Sequence, residues 1–353
     1  MSNRKLLVGD TALITPNEVS GRLIRNLVFG DSGSALQTFD QATLDSTGAF
    51  LLSELIRLDQ REYLPLVQTF WKRDIDLRSD VTMGDEQSGF INTGWAAAGG
   101  INPSGINWAS QNANALPRVQ LDAGLTTKPL RPWALGVEYT VYDLANAMRI
   151  NRPIDATQID ALEQKWDMDI DTMVAIGDTA VGATGMYNNT AITPYNVVAG
   201  ASGNLAWSTK TPSEILADVN TLLNAVWTAS AVAQVPEDLR LPTSQFGYIA
   251  ATPVSTAGTM SILEFVARNC ISFAANGQPL RIFPTKWLNG RGASSTDRMV
   301  AYTRRENFIR YPLVPKQITP VQYRGIWQSS TYFGRLGEVE IVYPGTVGYA
   351  DGI

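Results

Sequence analysis

A helical repeat of apolar residues in the middle of the chain constrains its fold more than any other feature. The apolar positions recur at intervals of three and four residues and are Ile159, Leu162, Trp166, Ile170, Met173 and Val174. The acidic residues between them predict a charged stripe on the opposite face, formed by Asp160, Glu163, Asp167 and Asp171. Pro153 and Asp155 suit a first helical turn, and Gly177 or Gly182 suits the end of a helix. The sequence therefore predicts one long amphipathic helix over about 153–177.

The glycine-rich stretch VAIGDTAVGATG follows this helix and resembles a phosphate-binding loop. Gly177, Gly182 and Thr184 fit the register G-x-x-x-x-G-K-[ST], but Ala183 stands where the lysine belongs. In a true phosphate-binding loop the glycines follow a strand and open a helix, so that backbone N–H groups face the phosphates. Here a helix runs into the glycines and presents carbonyls and the negative end of its dipole. We therefore predict a helix C-cap and chain reversal that uses glycine at positive φ.

Four aspartates in the same region also fit a calcium loop in part. Asp167, Asp169, Asp171 and Asp178 fall at positions one, three, five and twelve of an EF-hand loop. The sixth position, which needs glycine, is Thr172. In a helix Asp169 points almost opposite to Asp167 and Asp171, so the three cannot converge on one ion. We expect an acidic surface, solvated or between subunits, and no metal.

The chain contains no histidine, which narrows the possible chemistry sharply. Ser-His-Asp and Cys-His nucleophile systems, H-E-x-x-H metal sites and mixed Cys/His zinc sites are all excluded. Carboxylates, lysine, tyrosine and metals on oxygen ligands remain, and no carboxylate pair is singled out by its spacing. The one cysteine, Cys270, lies on an apolar helical segment and is interpreted as a small buried hydrophobe. We expect no catalytic residue, no cofactor and no bound metal.

Charge and hydropathy disfavour a sequence-specific nucleic-acid-binding protein and a membrane protein. Only 17% of the 353 residues are charged, below the roughly 25% that is usual, which suggests surface reserved for a partner. The net charge of −5 and the missing reader motif disfavour specific nucleic-acid binding, although Arg304, Arg305 and Arg310 lie on a predicted strand and could touch it. No apolar run approaches the roughly 20 residues of a membrane helix, and no secretory signal is recognisable, so we expect a cytosolic, non-membrane protein.

Residues 87–127 form a long segment whose only charges are Arg118 and Asp122. Such a composition is typical of a long loop, and loops of this length are uncommon in compact domains unless they are functional. Three large aromatic residues in it argue against a freely solvated loop: Phe90, Trp95 and Trp108. Exposed aromatics on an uncharged extension favour a contact between subunits, so we interpret these three as an assembly interface.

The remaining pattern mixes helices and strands without regular βαβ units, which indicates an α+β fold and disfavours a doubly wound nucleotide fold. Before the extension we predict a short helix over residues 23–29, a helix over 46–64 and a strand-like segment from Val67. The predicted elements after the extension are, in order, a strand and short helix in RPWALGVEYTVYDLANAM, the long helix, a helix in TPSEILADVNTLLNAVWTA, a strand in SQFGYIAAT, a helix in TMSILEFVARN, and strands in LRIFPTKW, DRMVAYTRR and GEVEIVYP. In the last strand, Val339, Ile341 and Tyr343 alternate with Glu338 and Glu340, which places the glutamates on the other side.

Three passages carry a resemblance to a known family. They are GAFLLSELIRLDQREY, EYTVYDLANAMRINRPIDATQIDALEQKWDMDIDTMVAIGDTAVGATGMYNN and RLGEVEIVYPGTVGYADGI. In layout and in these passages the chain resembles the major capsid protein of tailed bacteriophages, whose Hong Kong 97-type fold is shared with encapsulin shells and the floor of herpesvirus capsids. The resemblance covers nearly the whole chain from about residue 45.

The resemblance implies a role for each region. It implies an N-terminal arm at 1–45, a helix and strand leading into an extended loop at 46–74, the extended loop itself at 75–130, a peripheral domain at 131–204 that contains the spine helix at about 153–177, an axial domain at 205–335, and a closing strand of the peripheral domain at 336–353. Some relatives cross-link their shells through an extended-loop lysine, but no lysine occurs here between Lys72 and Lys128, so this cross-link is not expected. The N-terminus is too short for the scaffolding segment of other relatives, so any scaffold is expected to be separate or already cleaved away.

The function that the resemblance implies is structural. Subunits would self-assemble into hexamers and pentamers of an icosahedral phage head that encloses double-stranded DNA in non-specific contact, with a separate scaffold, a portal and possible decoration proteins as partners. Assembly would take place in the cytoplasm of a bacterial host, and the mature location would be the virion capsid. The alternatives are an encapsulin-like compartment that holds a cargo enzyme and, from a different class, a carboxylate-based hydrolase.

Overall fold

The computed structural model describes four short strands before residue 38 and then residues 64–98, 106, 111, 118–150, 154–255 and 258–353. The chain divides into two compact units, Met1–Tyr63 and Leu64–Ile353. The strands described in the first unit form two antiparallel hairpins, in which β1 (Leu6–Val8) pairs with β2 (Thr11–Ile14) and β3 (Phe29–Asp31) pairs with β4 (Ser34–Gln37).

Two predicted helices fall in this first unit. The short helix over residues 23–29 is wrong at its last residue, because Phe29 opens β3. Aromatic residues such as phenylalanine are common in strands. The rest of that predicted helix and the helix predicted over 46–64 lie outside the described residues, except for its last residue, Leu64, which is neither helix nor strand.

The second unit begins with short elements and a long hairpin. Its first elements are α1 (Trp71–Asp74), β5 (Asp76–Arg78), β6 (Gln87–Ala98), β7 (Arg118–Pro129), β8 (Arg131–Thr140), α2 (Val141–Ile150) and α3 (Ile154–Ala175). The strand-like segment predicted from Val67 is wrong, because residues 64–70 are neither helix nor strand and a helical turn follows them. The predicted strand and short helix at residues 131–148 are confirmed by β8 and α2.

The long helix predicted from the apolar repeat is confirmed by α3, which has 22 residues. Its apolar face is buried at Leu162, Trp166, Ile170, Met173 and Val174, while Ile159 near its start stays partly exposed. The prediction of an exposed acidic stripe is wrong at one position, because Asp171 is buried. Asp171 lies on the side of α3 that faces the start of α1 and Trp287, whereas Asp167 and Asp169 on the same half of the helix stay partly exposed.

Asp171 is satisfied instead by donors from two distant segments. Its Oδ1 accepts hydrogen bonds from the backbone N–H groups of Phe70 at 2.7 Å and Trp71 at 3.0 Å, at the start of α1. Its Oδ2 accepts a hydrogen bond from Nε1 of Trp287 at 2.7 Å. A buried carboxylate requires such partners, and unpaired N–H groups at a helix start supply them. Asp171 therefore attaches the segment before the long hairpin to the long helix.

The remaining elements are a mixed segment of helices and strands followed by a run of strands. They are β9 (Tyr195–Asn196), α4 (Pro212–Ala229), β10 (Asp238–Pro242), α5 (Thr243–Ala251), α6 (Ile262–Asn269), α7 (Ile271–Asn276), β11 (Arg281–Thr285), β12 (Arg298–Tyr302), β13 (Ile309–Ile318), β14 (Gln322–Arg324), β15 (Trp327–Leu336), β16 (Glu340–Ile341) and β17 (Val347–Asp351). One sheet has the strand order β11-β10-β12-β17-β9. A second has the order β14-β15-β13-β16, with β5 added beside β13 and β8 beside β15.

Two hydrophobic cores lie on opposite faces of the first sheet. On β12, Val300 and Tyr302 belong to the core that contains the buried face of α3, whereas Met299 and Ala301 belong to the core that contains α4. Because side chains alternate along a strand, β12 is buried on both faces and separates the cores. The observed architecture is the α+β class that the sequence predicts.

Two predicted strands in this region are wrong. The segment SQFGYIAAT is helical and forms most of α5, whose residues Phe246 and Ile249 are three apart and pack into the second core. The strand precedes it at β10, where all five residues are buried. In GEVEIVYP the strand β16 is only two residues long, Tyr343 is exposed, and Glu338 and Glu340 are buried.

Candidate assembly interface

The low-charge segment forms a long two-stranded ribbon where the sequence predicts a loop. Strands β6 and β7 pair antiparallel in an unbroken register from Gln87 opposite Pro129 to Ala98 opposite Arg118. Each strand has 12 residues, so the ribbon is about 40 Å long at roughly 3.3 Å per residue. We call these two strands the hairpin.

One face of the hairpin is apolar and exposed. Side chains directly opposite each other in an antiparallel pair share a face, and the register pairs Ile91 with Leu125, Trp95 with Leu121 and Ala97 with Val119. The aliphatic side chains of this face are exposed to 65% at Ile91, 68% at Leu125, 75% at Leu121 and 64% at Val119. We call this surface the apolar face of the hairpin; Ala123 lies on it, and the register gives Trp95 and Ala97 positions on the same face.

The register places two of the three aromatic residues singled out in the sequence at positions on opposite faces of β6. Trp95 occupies a position on the apolar face of the hairpin, opposite Leu121. Phe90 is half-buried and lies on the other face, opposite Thr126. Phe90 and Trp95 are five residues apart on β6, so their positions fall on opposite faces of the strand. Trp108 lies outside the described residues.

The base of strand β6 is held by a cluster of charged side chains. Glu340 is fully buried and accepts hydrogen bonds from Nη1 of Arg78 at 3.3 Å, from Nε of Arg310 at 2.7 Å and from Oγ of Ser88. Arg78 Nη1 also donates to Oγ of Ser88 and to the carbonyl of Gly89, each at 2.9 Å. These contacts connect the first residues of β6 to the sheet below.

The base of strand β7 is held by a second buried glutamate. Oε1 of Glu338 accepts hydrogen bonds from Nζ of Lys128 at 2.7 Å and from the hydroxyl and backbone N–H of Thr184. Burial alone raises the pKa of Glu338, but the hydrogen bonds from Lys128 and Thr184 outweigh it, so the pKa lies below its ordinary value. Glu338 and Glu340, two residues apart, thus hold the two strands of the hairpin.

The glycine turn after α3 is a helix C-cap. Gly177 has φ of +68°, and its added Cβ would lie 2.3 Å from the carbonyl oxygen of Ala183. The returning chain donates from the N–H groups of Met186 and Tyr187 to the carbonyls of Val174 and Ala175 at 2.7 and 3.0 Å. The turn therefore supplies hydrogen-bond donors to the last carbonyl groups of the helix, as the sequence predicts. It does not present N–H groups to a phosphate.

The acidic residues of α3 diverge. Asp167 pairs with Lys72 at 3.0 Å, Asp169 accepts a hydrogen bond from Nε1 of Trp133 at 2.9 Å, and Asp171 binds the start of α1. Among the residues that the structure describes, no group of three or more acidic or cysteine side chains could hold a metal ion.

The three arginines that could touch nucleic acid have carboxylate partners within the subunit. Arg304 pairs with Asp76 at 2.7 Å, Arg305 with Glu237 at 2.8 Å and Arg310 with Glu340 at 2.7 Å. The strand predicted to carry them ends at Tyr302, so Arg304 and Arg305 follow it and Arg310 lies on β13. Cys270 is buried, as the sequence predicts, but it lies in extended backbone between α6 and α7 and not on a helix.

Comparison with known proteins decides the family. A sequence model of the major capsid protein family matches residues 105–353, well over half of the chain. The chain belongs to the major capsid protein family. It is a structural, non-enzymatic capsid subunit, and the resemblance seen in the sequence is confirmed. The encapsulin-like compartment and the carboxylate-based hydrolase are not favoured.

Solved phage capsids share the fold of this capsid subunit. The capsid of Myoviridae phage XM1 superimposes with a TM-score of 0.68 at 13% identity, covering 87% of this chain and 99% of that one. The capsid of an empty GTA particle gives 0.52 at 13% identity over 89% and 99%, and that of Mycobacterium phage Che8 gives 0.51 at 10% identity over 84% and 96%. A search of curated protein sequences finds no match. The Hong Kong 97-type fold expected from the sequence is thus confirmed, and the subunit is a component of a virion capsid.

Sequence reasoning missed two features of this capsid subunit. Glu338 and Glu340 alternate with apolar residues as on an exposed strand, and no local signal shows that basic side chains from other strands enclose them. A second exposed apolar patch lies where the N–H of Val141 donates to the carbonyl of Ile326, and its side chains are Val141, Tyr142, Tyr323, Ile326 and Trp327. Such a patch is typical of a protein contact surface.

None of the helices in the described parts of the chain is long and apolar enough to cross a membrane.

Proposed function

We propose that the hairpin of each capsid subunit lies on a neighbouring subunit and that its apolar face is the contact surface. The observation that carries this proposal is the row of four aliphatic side chains, each exposed to 64% or more in the single subunit. Full burial of an aliphatic side chain stabilises by about 1.5 to 3 kcal/mol. Four of them on a ribbon with few charges supply a substantial part of the contact energy between two subunits.

The regions of the chain take the roles that the family resemblance implies. Residues 75–130 form the extended loop, 131–204 with 336–353 form the peripheral domain, and 205–335 form the axial domain, while 1–45 form the N-terminal arm and 46–74 lead into the extended loop. Heterologous contacts between identical subunits close rings when the rotation closes, so the subunits form hexamers and pentamers that build an icosahedral head.

Other partners follow from this role in the capsid. The head encloses double-stranded DNA in non-specific contact, and it is assembled in the cytoplasm of a bacterial host with a separate scaffold, a portal and possible decoration proteins. Arg304, Arg305 and Arg310 pair with carboxylates of the same subunit, so their charges are partly neutralised before any contact with DNA.

A pair of double variants on opposite faces of the hairpin tests the proposal. Ile91→Thr with Leu125→Thr removes a cross-strand apolar pair and places a β-branched residue with high strand propensity at each position. Asn92→Thr with Gln120→Thr places the same residue at two exposed positions on the other face. We expect the first pair to reduce the yield of shells at least tenfold in sedimentation and electron microscopy, with an unchanged circular dichroism spectrum. The control should assemble like the wild type.

Alanine substitutions of the aromatic residues provide a further test. Trp95→Ala is expected to impair assembly more than folding, because Trp95 occupies the apolar face opposite Leu121. The same is expected of Trp108→Ala, and Phe90→Ala on the opposite face should have the smaller effect on assembly. Equal shell yields from the two double variants would contradict the proposal.

A further inference from the structure

The hairpin leaves the body of the subunit at one narrow base, so small rotations there are amplified. Over a ribbon of about 40 Å, a tilt of about 10° at the base moves the tip by roughly 7 Å, more than the spacing of two neighbouring strands. A contact surface near the tip of the hairpin takes a defined position only if the base of the hairpin is held rigidly. The contacts at the base therefore decide where the apolar face of the hairpin lies.

We infer that Arg78, fixed in place by the buried carboxylate of Glu340, is a positioning residue that sets the direction of the hairpin. This inference rests on the proposed function of the hairpin. Arg78 lies on β5, outside the hairpin, and donates to both Ser88 and Gly89 on β6 at 2.9 Å. Its planar guanidinium makes these bonds in fixed directions, so the angle of β6 follows the angle of the guanidinium.

The orientation of Arg78 is itself fixed from two sides. Its Nε and Nη2 bind the two carboxylate oxygens of Asp80 at 2.6 and 3.0 Å, and its Nη1 lies 3.3 Å from both oxygens of Glu340. The side chain of Arg78 is only 16% exposed and that of Glu340 is not exposed at all. The bonds to Glu340 lie in a dry environment, where charged hydrogen bonds are stronger than at the surface, whereas Asp80 is exposed.

The opposite strand has its own attachment, which makes the base a two-point support. Lys128 on β7 binds Glu338, and the next residue but one, Leu130, is buried against Val81 and Val314. One attachment on each strand opposes rotation about the hairpin axis and tilting across it. Arg78 is the member of this support that joins the body to β6 through a side chain with five donors.

Arg310 offers a matched control for Arg78. Both arginines bind Glu340, so the loss of either one removes a charged partner from the same buried carboxylate. Only Arg78 also binds hairpin residues, since the described side-chain bond of Arg310 goes to Glu340 at 2.7 Å. A purely structural role would make the two arginines equivalent, whereas a positioning role separates them.

The test measures the distance between spin labels on the hairpin and on the body in full-length subunits, at a concentration below that at which shells form. The labels replace exposed residues in Gln120→Cys on β7 and Ala225→Cys on α4. The native Cys270 is buried and remains unlabelled. We expect Arg78→Met to widen the distance distribution at least twofold and Arg310→Met to leave it at the width of the wild type.

Arg78→Lys provides a second variant in case Arg78→Met does not fold. It keeps the positive charge beside Glu340 but cannot reach Ser88, Gly89 and Asp80 together, so the distribution is expected to widen with it as well. Equal widening with Arg310→Met and Arg78→Met, or a folded Arg78→Lys subunit with the width of the wild type, overturns the inference. The distance distribution reports on hairpin direction and the shell yield on the proposed contact, so failures of the two proposals are distinguishable.

Discussion

The buried guanidinium of Arg240 donates from Nε to Oδ1 of Asp74 at 2.8 Å, across 166 residues of sequence. Both side chains are almost inaccessible, with exposures of 1% and 3%. Asp74 ends α1, which Asp171 attaches to the long helix, and Arg240 lies on β10 beside the second core. Tyr187 completes the site by donating its hydroxyl to Oδ2 of Asp74 at 2.9 Å. This ion pair therefore connects the segment before the hairpin to the central sheet.

Loss of Arg240 should destabilise the subunit strongly. Arg240→Met removes the cation that Asp74 and Asp238 share. Arg73 still pairs with Asp74 and Arg281 with Asp238, so the expected cost is about 3 kcal/mol, the lower end of the range for breaking a buried pair. Urea unfolding of the isolated subunit measures this loss. Arg268→Met removes an exposed pair with Glu264 on α6 and should change the free energy of unfolding by about 0.5 kcal/mol or less. A similar effect of both variants would show that the buried pair is not important for stability.

The glycine turn after the long helix gives a prediction that separates two causes of strain. Gly177 and Gly182 both have φ near +69°, but an added Cβ meets the backbone of Ala183 only at Gly177. Gly182→Ala should therefore cost about 1 kcal/mol for the left-handed conformation. Gly177→Ala adds a backbone clash and should cost about 2 to 5 kcal/mol in total. Thermal unfolding of the two variants tests the difference, and equal losses would exclude the close approach to Ala183.

The base of the hairpin should weaken in acid through Glu338. Its folded pKa lies below the ordinary value of 4.5, so the stability that its charge contributes is present above that value and is lost as the pH falls through the lower, folded pKa. Glu338→Gln removes this contribution at every pH. The difference in free energy of unfolding between wild type and Glu338→Gln should be clear at pH 7 and should shrink below pH 4.5. A difference that stays constant over this range would contradict the assignment.

The elements that the sequence predicted correctly are those whose cause is local. The spacing of Leu162, Trp166 and Ile170 determines α3, and the glycines after it determine the chain reversal because only glycine takes positive φ without strain. Short apolar runs were ambiguous: SQFGYIAAT reads as a strand but folds as α5, since Phe246 and Ile249 pack on one side of a helix. The composition of residues 87–127 indicates a functional segment but contains no pairing information, so the sequence predicts a loop where the structure has the hairpin.

The sequence alone determined the long helix, the glycine cap, the absence of histidine chemistry and the family resemblance, because each depends on residue type and short-range spacing. Only the tertiary structure decided which carboxylates are buried. Asp171, Glu338 and Glu340 occupy positions that a local pattern assigns to solvent, and they become buried because donors from remote segments meet them there. The same is true of the apolar face of the hairpin, since the register of β6 against β7 gathers Ile91 and Leu125 on one side and turns Phe90 to the other. Pairing between distant strands is a property of the folded chain, and no local spacing encodes it.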